Sequence, residues 1–328
     1  MLGGSAVLVR SNIFRRITTV LLVSLLALPT FGCAKTDTRE SIVCSSYVIY
    51  DWVLNILGED AENHSIRLLG AKGADIHSYQ PTVRDIAAVA ECRVFIRNGG
   101  DSETWAEKML GAANNKDMIM LSLCDEMQGS LCHDDGEEHG EVSHDGHSHD
   151  AHSHEYDEHI WLSFDHALES ASLIAGALSE AFPENESKYL ENARAYGERI
   201  LALQNEYSEL SSRAENKTVI LCDRDPFHYL WEFMGVECEA AFEGCSAESE
   251  ANFAVVSRLS RKIDECGSGY VLKCESSDGK IADAVISATR DRNARALTLD
   301  SMQSAVVGDA SYIEMLEYNL EVLKTALG

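Results

Sequence analysis

Tyr189-Leu-Glu-Asn-Ala193-Arg-Ala-Tyr196-Gly-Glu-Arg-Ile200-Leu-Ala-Leu203-Gln-Asn-Glu-Tyr207-Ser-Glu-Leu210 decides the architecture of this chain. Its apolar positions step forward by four and three residues in turn, with charged residues between them. That period lays one stripe along a single helix of about seven turns. Before it, short apolar runs alternate with helical stretches. Residues 42–47, 65–69, 93–97 and 118–123 read as strands, residues 46–58 as a turn and helix, and Thr82 with Asp85 as a helix start. After it the alternation resumes, with strands at 218–222, 270–274 and 296–299, helices beginning near Glu248 and Gly279, and a final amphipathic helix over 311–326. Strands separated by helices imply parallel βαβ units. The expected fold is α/β: two lobes, each a parallel sheet flanked by helices, joined by one long rigid helix. The expected limits are 33–182 for the first lobe, 183–215 for the connecting helix and 216–328 for the second.

The 328 residues are enough for two domains, and 45% apolar with 25% charged residues is a globular composition. A net charge of −27 argues against nucleic acid and suits a cationic ligand. Arg10, Arg15 and Arg16 precede an apolar run over 17–28, too short to span a membrane and of the size found in a signal peptide. Gly32-Cys33 follows, and then a polar stretch, so residues 1–32 read as a signal peptide and Cys33 as a lipidation site. The expected location is extracytoplasmic, anchored by lipid to the outer face of the cell membrane. Thr30 and Phe31 depart from the usual residues before such a cysteine. The nine other cysteines include no C-x-x-C pair, which gives no support to a zinc ribbon or a thioredoxin motif. Cys44, Cys92, Cys222 and Cys274 lie in or beside apolar runs and read as small buried hydrophobes, whereas Cys124–Cys132 and Cys238–Cys245 are conceivable local disulfides.

Between residues 133 and 159 stand eight of the twelve histidines and ten acids, with no lysine or arginine. Such a tract cannot bury a core and reads as a solvated loop over 133–156. A purely solubilising loop would explain the acids but not His139, His144, His147, His149, His152 and His154. Imidazole with carboxylate is a donor set for a divalent metal, zinc above all.

Outside the tract, candidate ligands sit where strands give way to loops, the usual place for ligands in such folds. They are His77, His159, Asp300, and the pair Asp223 and His228, which follows the strand ending at Cys222. Taken singly, each also has a plain structural reading: a turn histidine, a helix cap or a surface residue.

Together the segments His77-Ser-Tyr-Gln-Pro-Thr82, Asp157-Glu-His159-Ile-Trp-Leu162 and Leu299-Asp300, with the histidine tract just before His159, resemble the metal-binding subunits of bacterial zinc and manganese ABC importers. The resemblance covers residues 40–328. It implies a metal site between two lobes, with His77 and His159 from the first lobe and Asp300 from the second. One segment departs from the family pattern. Phe227-His228-Tyr229 aligns with the family's Phe-x-Tyr, which places Arg224 where a histidine or glutamate ligand belongs, and a guanidinium cannot ligate a cation. Asp223 is the preferred substitute because it directly follows the strand end, with His228 the alternative.

The implied function is an extracytoplasmic zinc receptor that hands Zn²⁺ to an ABC permease and its ATPase, with a manganese or iron receptor of the same family as the alternative. A secreted zinc hydrolase would need a motif such as H-E-x-x-H, and Asp157-Glu-His159 lacks the second histidine. No nucleotide loop or serine nucleophile elbow occurs either, so no enzyme is expected. Deleting residues 133–155 is expected to slow metal uptake when zinc is scarce while leaving one tight site. Loss of the tight site in an equilibrium zinc titration would contradict that division of labour.

Overall fold

In the computed structural model the described residues are 42–70, 77–113, 115–131, 156–242, 253–290 and 292–328. The histidine tract, Cys33, Cys132 and Cys245 lie outside them, as does the expected helix start near Glu248.

The first sheet contains β1 (Ile42–Cys44), β2 (Ile66–Leu68), β3 (Val94–Arg97) and β4 (Ile119–Ser122) in the order β2-β1-β3-β4, and every pairing is parallel. Between and after these strands come α1 (Tyr47–Leu57), α2 (Val83–Glu91), α3 (Trp105–Ala113) and α4 (Leu123–Met127). Alternate side chains explain why these strands read as continuous apolar runs. Ile42, Cys44, Val94 and Ile96 enter one core, while Val43 and Phe95 enter a second on the opposite face with Leu69, Val89 and Met109.

After α5 (Phe164–Ala181), the long connecting helix is α6 (Glu186–Arg213), entered through a single turn over Pro183–Asn185. At 1.5 Å per residue it is about 42 Å long. Its buried positions are Tyr189, Ala193, Tyr196, Gly197, Ile200, Leu203 and Tyr207, which is the sequence stripe with Gly197 added, while Leu210 is half-buried. A Cβ on Gly197 would stand 3.3 Å from Leu168, so a small residue lets α5 approach closely.

The second sheet contains β5 (Thr218–Arg224), β6 (Glu237–Phe242), β7 (Tyr270–Cys274) and β8 (Arg295–Leu299) in the order β6-β5-β7-β8, again all parallel. It is accompanied by α7 (His228–Met234), α8 (Phe253–Cys266), α9 (Lys280–Ala288) and α10 (Tyr312–Leu327). Each half thus has the same strand-order pattern, with its second-numbered strand at the edge. No sequence repeat announces this.

The two halves share one main core, which takes in Ile42, Val94, Tyr189, Tyr207, Leu221, Leu299 and Leu323. Tyrosines along α6 tie it to both. Tyr189 donates to Asp60 and Tyr196 to Asp51 in the first half, and Tyr207 donates to Leu316 O of α10 at 2.7 Å. The last helix also reaches back across the expected lobe boundary. Tyr312 N donates to Asp51, and the Tyr312 ring packs edge-on against Trp52 at 5.2 Å. Cys44, Cys92, Cys222 and Cys274 are buried and form no disulfide among the described residues, as their apolar surroundings suggested.

The start of α2 fixes the segment that follows His77. Thr82 and Asp85 form a capping box, and the Asp85 carboxylate also accepts from Tyr79 Oη at 2.9 Å and Arg67 Nη2 at 2.9 Å. Burial raises the pKa of this carboxyl, but donation from Thr82, Arg67 and Tyr79 outweighs it and holds the group below its ordinary value. A lowered native pKa stabilises the fold above the unfolded value, and that stabilisation disappears as pH falls through the native value. Asp85→Asn should therefore cost about 2 kcal/mol at pH 7, as expected for lost charge-assisted bonds. In denaturant melts the gap between variant and wild type should narrow below about pH 4.

Candidate metal site

The site forms where the carboxyl ends of the first sheet's strands meet the segment that follows β8. His77 lies between β2 and α2, Ser102 lies on the loop after β3, and His159 immediately precedes the turn Ile160–Leu162. The two imidazoles, 82 residues apart in sequence, face each other with His77 Nε2 3.3 Å from His159 Nε2.

Their orientation is set from behind. His159 Nδ1 lies 2.5 Å from Asp157 Oδ1, and the same oxygen accepts the His159 backbone N–H at 2.9 Å. His77 Nδ1 lies 2.6 Å from Ser102 Oγ and 3.2 Å from Glu158 Oε1. The Ser102 hydroxyl donates to Glu158, so its oxygen accepts from His77 Nδ1–H. Burial pushes both carboxyls up, but hydrogen bonds from His159 to Asp157, and from His77 and Ser102 to Glu158, outweigh burial and hold each below its ordinary value. Ionised carboxylates behind Nδ1 fix the Nδ1–H tautomer and leave the Nε2 lone pairs facing inward.

The loop after β3 makes this arrangement possible. Ser102 N donates to Glu158 Oε2 at 3.1 Å, and Asn98 Nδ2 donates to Glu158 O at 2.9 Å. Gly100 has φ 80°, and a Cβ there would lie 2.3 Å from Glu158 Oε2. Only glycine fits, on both backbone and contact grounds.

Two lone pairs aimed at each other repel unless a proton or cation lies between them. Zinc–imidazole bonds of about 2.0–2.1 Å in tetrahedral geometry put two ligating nitrogens about 3.3–3.4 Å apart. The observed separation matches that bite. The pair could therefore hold a divalent metal between its two nitrogens.

The other expected ligands are placed differently. Both oxygens of Asp223 face backbone donors, Arg224 N at 2.9 Å and Cys274 N at 3.3 Å, so its carboxylate braces the end of β5 against β7. His228 is exposed at the start of α7. Asp300 Oδ1 accepts from Met302 N at 2.8 Å, while its own N–H and C=O are paired with the Asn319 amide. Burial and the nearby Asp309 carboxylate raise the Asp300 pKa, with the Met302 N–H acting against them. Among the described residues, no third histidine, cysteine, aspartate or glutamate joins the imidazole pair at metal-holding distance.

What the second half does bring to the pair is Gln303, whose Nε2 lies 3.3 Å from His77 Nε2. The second half also grips the His159 segment through three hydrogen bonds. Tyr229 donates to Asp157 O at 2.8 Å, Tyr312 donates to Trp161 O at 2.7 Å, and the Trp161 indole N–H donates to Ser301 O at 2.9 Å. Sequence reading missed Ser102 and Gln303 as members of the site, and it treated Asp157 and Glu158 only as neighbours of His159.

Comparisons with known proteins follow this geometry. The family model described as zinc-uptake complex component A, periplasmic, matches residues 42–326. The zinc-binding lipoprotein AdcA of Streptococcus pneumoniae is 27% identical over 322 residues, covering 93% of this chain, but the chain spans only 60% of that protein's length. The high-affinity zinc uptake system protein ZnuA of Bacillus subtilis is 25% identical, covering 96% of this chain and 98% of that one. Among solved structures, a zinc-bound AdcAII variant of Streptococcus pneumoniae superimposes with a TM-score of 0.72 at 25% identity, covering 88% of this chain and 99% of the other.

If the carboxylates orient the imidazoles, Asp157→Asn and Glu158→Gln should each weaken metal binding about 10–100-fold, the usual effect of removing such a partner. Isothermal titration with zinc checks this, and unchanged affinity in both variants would leave the two carboxylates with a purely structural role.

Proposed function

The chain belongs to the zinc-uptake complex component A family, and from that premise we propose that it is an extracytoplasmic receptor that binds Zn²⁺ and delivers it to an ABC permease driven by its ATPase. The observation that carries the proposal is the His77–His159 pair, with its two Nε2 atoms at the spacing zinc requires and a carboxylate behind each ring. The metal is cargo. Nothing in the arrangement asks for an open coordination position or a general base, so the chain carries the ion and does not act as a hydrolase.

His77 and His159 are the ligands from the first half. Asp300 is the proposed carboxylate from the second, since it opens the segment that already meets His77 through Gln303. Of the two substitutes for the family ligand at Arg224, His228 is favoured over Asp223. Both Asp223 oxygens are engaged with backbone donors, whereas His228 stands next to Tyr229, which donates to Asp157 O. This reverses the order preferred from the sequence.

Zinc is favoured over manganese because two imidazoles dominate the site, whereas manganese prefers more oxygen donors. The histidines of the 133–156 tract, His139, His144, His147, His149, His152 and His154, are the proposed weak metal collector. Cys33 is the proposed point of lipid attachment, consistent with the lipoprotein name of AdcA and with the absence, among the described residues, of any helix long and apolar enough to cross a membrane. The working division is a signal peptide over 1–32, a first lobe over 33–182, a connecting helix over 183–215 and a second lobe over 216–328.

The test is to purify the mature protein free of metal, titrate it with Zn²⁺ and with Mn²⁺, and count tight sites. One tight zinc site, abolished by His77→Ala or His159→Ala, is expected. Since ligation needs neutral imidazole, affinity should fall as pH drops towards 6. A site that prefers Mn²⁺, or that survives both substitutions, would overturn the assignment.

A further inference from the structure

The segment between β8 and α10 carries a residue that the family reading gives no task. Gln303 is 9% exposed, and its amide nitrogen reaches His77 Nε2 across 226 residues of sequence. The backbone is strained to put it there. Met302 is buried at 2% exposure with φ 62°, in the left-handed region that a non-glycine residue enters only under strain. The strain sits one residue before Gln303 and two after Asp300.

The hydrogen bonding behind His77 fixes which amide atom faces the ring. With Nδ1–H given to Ser102, His77 Nε2 is an acceptor, and an amide N–H satisfies it where an amide oxygen would repel it. Gln303 thus supplies a proton donor to one of the two lone pairs that otherwise oppose each other. When a dication enters between the rings, it takes that lone pair away from the amide N–H. The last torsion of a glutamine side chain is broad and roughly two-fold, so half a turn exchanges nitrogen for oxygen at little cost. The carbonyl oxygen then faces the cation.

We propose that Gln303 is a ligand-switching residue of the metal site: its amide N–H caps His77 when the site is empty, and its carbonyl oxygen ligates the metal when the site is filled. Through it the second half of the protein contacts the cargo directly, alongside the proposed carboxylate of Asp300. The inference rests on the reading of His77 and His159 as zinc ligands and adds an oxygen donor to them.

The test compares wild type with Gln303→Leu, which keeps the side chain's bulk without its amide, and Gln303→Glu, which keeps its shape and adds an anionic oxygen. Zinc affinity of the full mature chain is read by competition with a chromophoric chelator, and circular dichroism and thermal melts of the metal-free proteins report folding. Gln303→Leu is expected to weaken zinc binding about tenfold, and Gln303→Glu to tighten it by at least as much. If Gln303→Leu melts far below wild type, the Gln303→Glu arm decides alone. Zinc binding by Gln303→Leu that equals or exceeds wild type, or weaker binding by Gln303→Glu, would overturn the proposal and make the amide a plug or a bystander. His77→Ala, run in parallel, separates the two levels. A wild-type zinc site insensitive to His77→Ala sinks the underlying reading, whereas a sensitive one with no response to Gln303→Leu sinks only the switching role.

Discussion

Two imidazole nitrogens held 3.3 Å apart, each with its lone pair turned towards the other, repel unless a proton or a cation lies between them. Much of the surrounding structure serves to hold it. Asp157 and Glu158 stand behind the rings as ionised carboxylates, Ser102 relays the bond from His77, and Gly100 keeps the backbone thin enough for Glu158 to fit. Gly100 and Ser102 lie on the loop that leaves β3, a strand of a fully parallel sheet whose two faces are both covered.

The same constraint reaches the second half. Tyr229, Ser301 and Tyr312 all bond to the Asp157–Trp161 stretch, and α6 carries tyrosines that bond to both halves. A displacement of one half against the other would have to break contacts to the residues that aim His159. The groups that orient His159 and the relation of the halves are therefore linked by direct hydrogen bonds. The coupling does not depend on the long helix alone.

How much of this was legible in the sequence depends on the range over which each signal acts. The stripe on α6, seven of the eight parallel strands and the Thr82–Asp85 cap are local patterns that the sequence shows, with ends that differ by up to three residues, whereas β6 was not read from it. His77 could be singled out because it falls in a rigid loop that enters a helix, and His159 because it stands where the histidine tract ends and ordered sequence resumes. Ser102 and Gln303 could not, since their roles exist only through contacts 25 and 226 residues away. Asp223 looked like a ligand because it follows a strand, but the chain gives no sign that β7 offers Cys274 N–H to it. Met302 in a left-handed conformation was equally invisible, because nothing in Ser301-Met302-Gln303 signals a turn that glycine would normally serve.

The central claim is that His77 and His159 clasp the cargo metal through Nε2. The most direct measurement is zinc K-edge X-ray absorption on the mature protein loaded with half an equivalent of zinc, so that only the tightest site is filled. The account predicts a four-coordinate shell with two imidazoles at about 2.0–2.1 Å, reduced to one in His159→Ala. A shell dominated by sulfur at about 2.3 Å, or one unchanged by the substitution, would contradict it.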